Sequence, residues 1–135
     1  MIEMSHDQTG TRISSNTIRD GNHRGINIKG TSNVIVANNV VYNVGGHGFE
    51  VQDGVESGNK FHHNLGARLF RIADSYDDED DPAVFYSRSL DNEWIGNVAA
   101  GSDHGFKMDI QKNEIVGDVS FSFSTYLCLS ENAEC

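Results

Sequence analysis

Proline occurs once and cysteine twice in 135 residues, and both cysteines, Cys128 and Cys135, stand at the end of the chain. They can pair with each other, but two terminal cysteines make no disulfide framework and say little about compartment. Leucine is scarce, which removes the framework of a leucine-rich repeat. No apolar run approaches the ~20 residues that a membrane-spanning helix needs. Amphipathic stretches of about 10–15 residues at helical spacing are also missing, so a helical bundle or helical solenoid is excluded. Basic residues number 10 against 20 acidic ones, a formal charge of −10. Nucleic acid, bound chiefly by phosphate neutralisation, is therefore disfavoured as a partner, and so is unaided binding of any polyanion. The start, Met1-Ile2-Glu3-Met4, carries no basic or apolar leader, so no signal peptide is visible; an extracellular protein of this sequence would have its true N-terminus outside this chain.

What the chain does have is glycine, 14 residues of it, and asparagine recurring through the first hundred positions. Three segments match one another: His23-Arg24-Gly25-Ile26-Asn27-Ile28, His47-Gly48-Phe49-Glu50-Val51 and His104-Gly105-Phe106-Lys107-Met108. Each sets Gly before an apolar-polar-apolar alternation, the pattern of a half-buried strand. Asn16, Asn38, Asn64 and Asn97 recur at intervals of 22, 26 and 33 residues, each preceded three positions earlier by Ile13, Ile35, Phe61 or Trp94. A coil of three short strands needs a little over twenty residues. The expected fold is all-β: a right-handed parallel β-helix of roughly four coils, part of a longer helix, in which like residues stack on like. Residues 1–12 form an irregular start or partial coil, and 13–109 the coils, with an acidic insertion at 73–82. Residues 110–135 form a degenerate coil and tail, including a possible strand from Val119 to Ser124.

The alternation also assigns faces. With Ile26/Ile28, Phe49/Val51, Phe85/Ser87 and Phe106/Met108 inward, Asn27, Glu50, Tyr86, Arg88 and Lys107 point out, followed by Lys29, Gln52 and Asp109. The expectation is a solvent-facing ribbon of mixed charge with one aromatic, in which Glu50 and Lys107 read first as a cross-coil pair. Between coils, Asp77, Asp78, Asp80 and Asp81 repel one another and read as a solvated loop; they are also a possible calcium site, since Ca²⁺ takes six to eight oxygens, although the spacing is not that of an EF-hand.

The run Asn43-Val44-Gly45-Gly46-His47-Gly48-Phe49-Glu50-Val51-Gln52-Asp53-Gly54-Val55-Glu56-Ser57-Gly58-Asn59, followed by Asn64-Leu65-Gly66, resembles the β-helix of the cell-surface hyaluronidase group. That group includes the cell-migration-inducing, hyaluronan-binding protein and the fibrocystin-like receptors. Asp81 to Phe85 and Asn97 to Ser102 resemble its following coils, so the likeness covers roughly residues 13 to 109. Tyr86 stands where the family carries Trp, and Ser89-Leu90 where it carries Asn-Pro.

The resemblance implies an extracellular or cell-surface protein that binds a hyaluronan-like polysaccharide and, in some members, cuts it. The alternative is a non-catalytic scaffold or binding module of a large fibrocystin-like receptor, with neighbouring coils or domains as partners. Cleavage usually needs two carboxyl groups, about 5–5.5 Å apart for retention and about 6.5–9.5 Å for inversion. The expected catalytic residues are Glu56, Asp53 and His47; Glu50, Tyr86, Arg88, Lys107 and Asp109 are the expected glycan contacts. Each has a plainer reading. Asp53-Gly54 fits a turn, the shared coil position of His47 and His104 fits a turn requirement, and exposed aromatics such as Tyr86 are common on solenoids.

Overall fold

In the structure, a computed structural model, residues 2–73 and 81–109 are described, together with the backbone of Cys128 and Leu129. Asp77, Asp78 and Asp80, the Val119–Ser124 alternation, the remaining tail and the pairing of Cys128 with Cys135 lie outside the described residues.

The first coil begins at Ile2, with β1 (Ile2–Asp7), β2 (Arg12–Ser14) and β3 (Thr17–Gly21). The second holds β4 (Ile26–Ser32), β5 (Ile35–Ala37) and β6 (Val40–Gly45), and the third β7 (Phe49–Val51), β8 (Lys60–His62) and β9 (Leu65–Phe70). The fourth holds β10 (Ala83–Ser87), β11 (Glu93–Ile95) and β12 (Val98–Ala100); β13 (His104–Met108) opens a fifth, and β14 (Cys128–Leu129) pairs with β12. Three sheets result, ordered β1-β4-β7-β10-β13, β2-β5-β8-β11 and β3-β6-β9-β12-β14, here called A, B and C. Every pairing is parallel between successive coils, for example β4 with β7 and β7 with β10. The chain is a parallel β-solenoid of about four turns, and no helix occurs among the described residues.

Register follows the glycine-anchored alternation. Ile26, Phe49, Phe85 and Phe106 form one inward column of sheet A, and Ile28, Val51, Ser87 and Met108 the next. The phenylalanine rings stack, Phe49 on Phe85 at 5.0 Å and Phe85 on Phe106 at 4.7 Å. Such pairs contribute about 0.5–1.5 kcal/mol beyond their burial. Chain and rings approach closely at the glycines: a Cβ on Gly66 would lie 2.2 Å from Val84 Cγ1, and one on Gly25 2.3 Å from the Gly48 carbonyl.

In sheet B the inward column is Ile13, Val36, Phe61 and Trp94, with Phe61 and Trp94 stacked at 4.1 Å. Val36 therefore replaces Ile35, which pairs with Arg12 and Lys60 on the outer face. The asparagine column slips by the same one residue. Asn39 takes the place expected of Asn38, because the corner between sheets B and C is a single left-handed residue in every coil: Ser15, Asn38, His63 and Gly96, all with φ between 52° and 63°. Asparagine tolerates that conformation better than most residues, which is why either Asn fits the pattern in sequence.

Just past the corner, the Asn16 main-chain N–H and Nδ2 both donate to Asn39 Oδ1; Asn39 does the same to Asn64, and Asn64 to Asn97, at 2.9–3.1 Å. The second Nδ2 hydrogen goes to a carbonyl in the sheet B strand of the preceding coil: Ile13 for Asn39, Val36 for Asn64, Phe61 for Asn97. Each buried amide is thereby satisfied. The sequence reading missed a shorter second ladder at the corner between sheets A and B, where Asn59 Oδ1 accepts the Val34 N–H and Asn59 donates twice to Asn92 Oδ1.

Candidate functional site

The outward side chains of sheet A run Asn27, Glu50, Tyr86 and Lys107 in consecutive coils, the face that the alternation assigned. They do not form an open ribbon. Asn27, Glu50 and Tyr86 are 2%, 2% and 1% exposed, and His47, one position before the strand glycine, is 1% exposed. The reason is that this face is knitted together across the coils.

Arg24 occupies in the second coil the place of His47 in the third. Its Nε lies 3.0 Å from Glu50 Oε2, and its Nη1 donates to Gln52 Oε1 at 3.0 Å. The Nε–H does not point along the first contact, so charge rather than a hydrogen bond joins Arg24 to that oxygen. Asn27 Nδ2 also donates to Gln52 Oε1, at 2.7 Å. Glu50 is thus paired with Arg24 and not with Lys107; the Tyr86 coil lies between those two. Lys107 instead reaches Asp81 Oδ2 at 2.8 Å, and His104 Nε2 stands 2.9 Å from Asp81 Oδ1. The Lys107 hydrogen bond first, and the nearby cationic charge after it, hold the Asp81 carboxyl below the usual aspartate range.

Tyr86 is the centre of the upper half. His47 lies against its ring, with centroids 4.2 Å apart and planes within 8° of parallel. Arg88 Nε donates to the Tyr86 hydroxyl at 2.9 Å, and that hydroxyl donates to Asp109 Oδ2 at 3.2 Å. The Arg88 guanidinium and Lys107 ammonium stand 5.8 and 5.9 Å from the ring centroid, inside cation–π range. The expected glycan contacts Tyr86, Arg88, Lys107 and Asp109 are therefore brought together, with Glu50 one coil away.

Of the expected catalytic residues, Asp53 and Glu56 share one turn, whereas His47 stands at the other end of β7. His47 precedes β7, while Asp53 and Glu56 follow it; six residues of extended chain span about 20 Å. His47 Nδ1 accepts the Ala83 N–H at 3.0 Å, tying the third coil to the fourth. Glu56 is 1% exposed and accepts three backbone N–H groups: Gly30 and Asp53 on Oε1 at 2.9 Å each, and Gly54 on Oε2 at 2.8 Å. That carboxylate closes the turn after β7 and clamps it to the coil below. Asp53 is exposed in the same turn. Among the described residues no three His, Cys, Asp or Glu side chains converge as metal ligands. Arg24 was the contributor that sequence reasoning passed over, although its place in the Arg24-Gly25 segment, matching His47-Gly48, marked it.

The profile of the CEMIP beta-helix family matches residues 1–127, nearly the whole chain. The chain belongs to the CEMIP β-helix family. Among curated proteins it is 31% identical to mouse fibrocystin-L and 29% to human fibrocystin-L, over 87 residues and 64% of the chain. It is 31% identical to communication mutant protein F of Dictyostelium discoideum over 112 residues, 70% of the chain. The match spans 2% of either fibrocystin-L and 10% of the Dictyostelium protein. No solved structure matches the chain significantly. The family accounts for the solenoid and its stacked columns.

Proposed function

We propose that this CEMIP-family β-helix is an extracellular glycan-binding module of a larger protein, that its ligand is a hyaluronan-type polysaccharide, and that it binds without cutting. One observation carries the non-catalytic part: four carboxylates on or beside sheet A, Glu50, Glu56, Asp81 and Asp109, are each engaged within the fold. Glu56 is held by three backbone donors, Glu50 by Arg24, Asp81 by Lys107, and Asp109 by the Tyr86 hydroxyl. A glycosidase instead needs two carboxyl groups facing a sugar and free to move a proton. The comparisons with known proteins support the modular part. The match spans only 2% of either fibrocystin-L, so in those relatives the corresponding segment is a small part of a much larger chain.

The test incubates the chain with high-molecular-weight hyaluronan, with and without EDTA, and follows both binding and chain length. Binding with no shortening is expected in both arms. Shortening in either arm would overturn the non-catalytic reading, and absence of binding would overturn the glycan reading.

A further inference from the structure

The formal charge of −10 argues against a polyanionic ligand only if charge is spread evenly, and it is not. Most cations of the described chain sit beside an acid: Arg19 with Asp20 at 2.7 Å, Arg24 with Glu50 at 3.0 Å, Lys29 with Glu3 at 3.6 Å, Arg71 with Asp103 and Lys107 with Asp81 at 2.8 Å. Arg12, Lys60 and Arg68 are exposed and, among the described residues, have no carboxylate within ion-pair distance. Arg12 and Lys60 stand in one outward column of sheet B, with Ile35 between them. The column ends in an acid, Glu93, the register partner of Lys60, and Glu93 Oε1 lies 2.5 Å from His62 Nε2. Arg68 lies apart from that column, on sheet C, where its Nη1 stands 3.4 Å from the Tyr42 hydroxyl and the Asp20 carboxylate acts on it electrostatically.

We infer that the outer face of sheet B is a track for an acidic polysaccharide lying along the solenoid axis. The inference rests on the glycan reading above and gives that reading its surface, away from the buried cluster of sheet A. Coils repeat about every 4.8 Å, which is comparable to the length of one sugar in an extended chain; Arg12 and Lys60, two coils apart, are then about 10 Å apart and address every second sugar. The class that fits is a polysaccharide with a carboxylate on alternate residues.

The test measures binding of immobilised hyaluronan by the full chain and by two variants matched in charge, with folding checked by circular dichroism. Arg12→Glu/Lys60→Glu is expected to weaken binding at least about tenfold, and Lys29→Glu/Arg71→Glu by less than about twofold. Neutral dextran is expected not to bind. Equal weakening by both variants would reduce the effect to net charge and overturn the track, as would full binding by Arg12→Glu/Lys60→Glu. Equal binding of a DNA duplex by the unaltered chain would overturn the choice of a glycan. No hyaluronan binding by the unaltered chain would bring down the glycan reading itself, a result separable from failure of the track alone.

Discussion

His47 and Tyr86 lie face to face across one coil boundary, 4.2 Å between ring centroids, while His47 Nδ1 takes the Ala83 N–H from that same neighbouring coil. One side chain thus supplies both a stacking plane and the acceptor for a buried donor. Truncating it removes packing and strands the donor together. His47→Ala is expected to cost about 2–4 kcal/mol in urea unfolding. His47→Asn, whose Oδ1 can accept the Ala83 N–H, should recover part of that loss. Equal stability of all three proteins would show that the contact holds nothing together.

The asparagine ladder gives a sharper contrast, because Asn38 and Asn39 are adjacent and do different work. Asn64 sits inside the ladder, accepting twice from Asn39 and donating to Asn97 and to the Val36 carbonyl. Asn64→Ala leaves several buried polar groups unpaired and is expected to cost about 2–4 kcal/mol. Asn38→Gly changes a left-handed corner residue (φ 57°) to the residue that best tolerates it, and should stay within about 0.5 kcal/mol of the parent. Thermal unfolding of the two variants checks both numbers.

These paired asparagines also explain what the sequence could and could not disclose. Three strands of sheet A, β4, β7 and β13, were legible because Gly25, Gly48 and Gly105 mark where their alternation begins, and that alternation admits one register. Sheet B was legible only to within one residue. Asn38-Asn39 offers two candidates for the ladder, and Ile35-Val36 offers two apolar residues for the core, so a slip of one position left no polar residue inside to betray it. The burial of Glu50, Tyr86 and His47 was not legible, since it depends on Arg24, Gln52 and Arg88 reaching across coils from distant parts of the chain. The pairing of cations with acids was hidden for the same reason: net charge sums groups that only the coiling brings together.

Glu56 separates a structural carboxylate from a functional one. Glu56→Gln keeps the size but offers one acceptor oxygen where two serve three N–H groups. A loss of about 1–3 kcal/mol in chemical denaturation is expected, with hyaluronan binding of the folded variant unchanged. A variant of normal stability that had lost binding would move Glu56 to the ligand surface.

Asp81 gives the pH dependence. Its carboxyl is held below the ordinary aspartate value of 3.8, first by Lys107, so it binds its proton less readily folded than unfolded. Its stabilising contribution is therefore complete above that ordinary value and is lost as pH falls through the lowered one. Asp81→Asn should lower stability by about 0.5–1 kcal/mol at pH 7, a modest figure because the pair is partly exposed, and the two proteins should converge in acid. Urea midpoints at pH 7 and below the aspartate range decide this; a gap that persists undiminished in acid would contradict the assignment.

The winding of the coils is tested most directly by disulfide trapping in a background with Cys128 and Cys135 replaced by Ser. Ile35 and Lys60 are register partners on the outer face of sheet B, whereas Phe61 points into the core. Neighbouring strands lie about 4.8 Å apart, within the Cα separation that a disulfide spans. Ile35→Cys/Lys60→Cys should close an intramolecular disulfide on mild oxidation, seen by mass spectrometry, and Ile35→Cys/Phe61→Cys should not. Closure of the second pair without the first would place Ile35 in the core column and contradict the register on which the sheet B track is built.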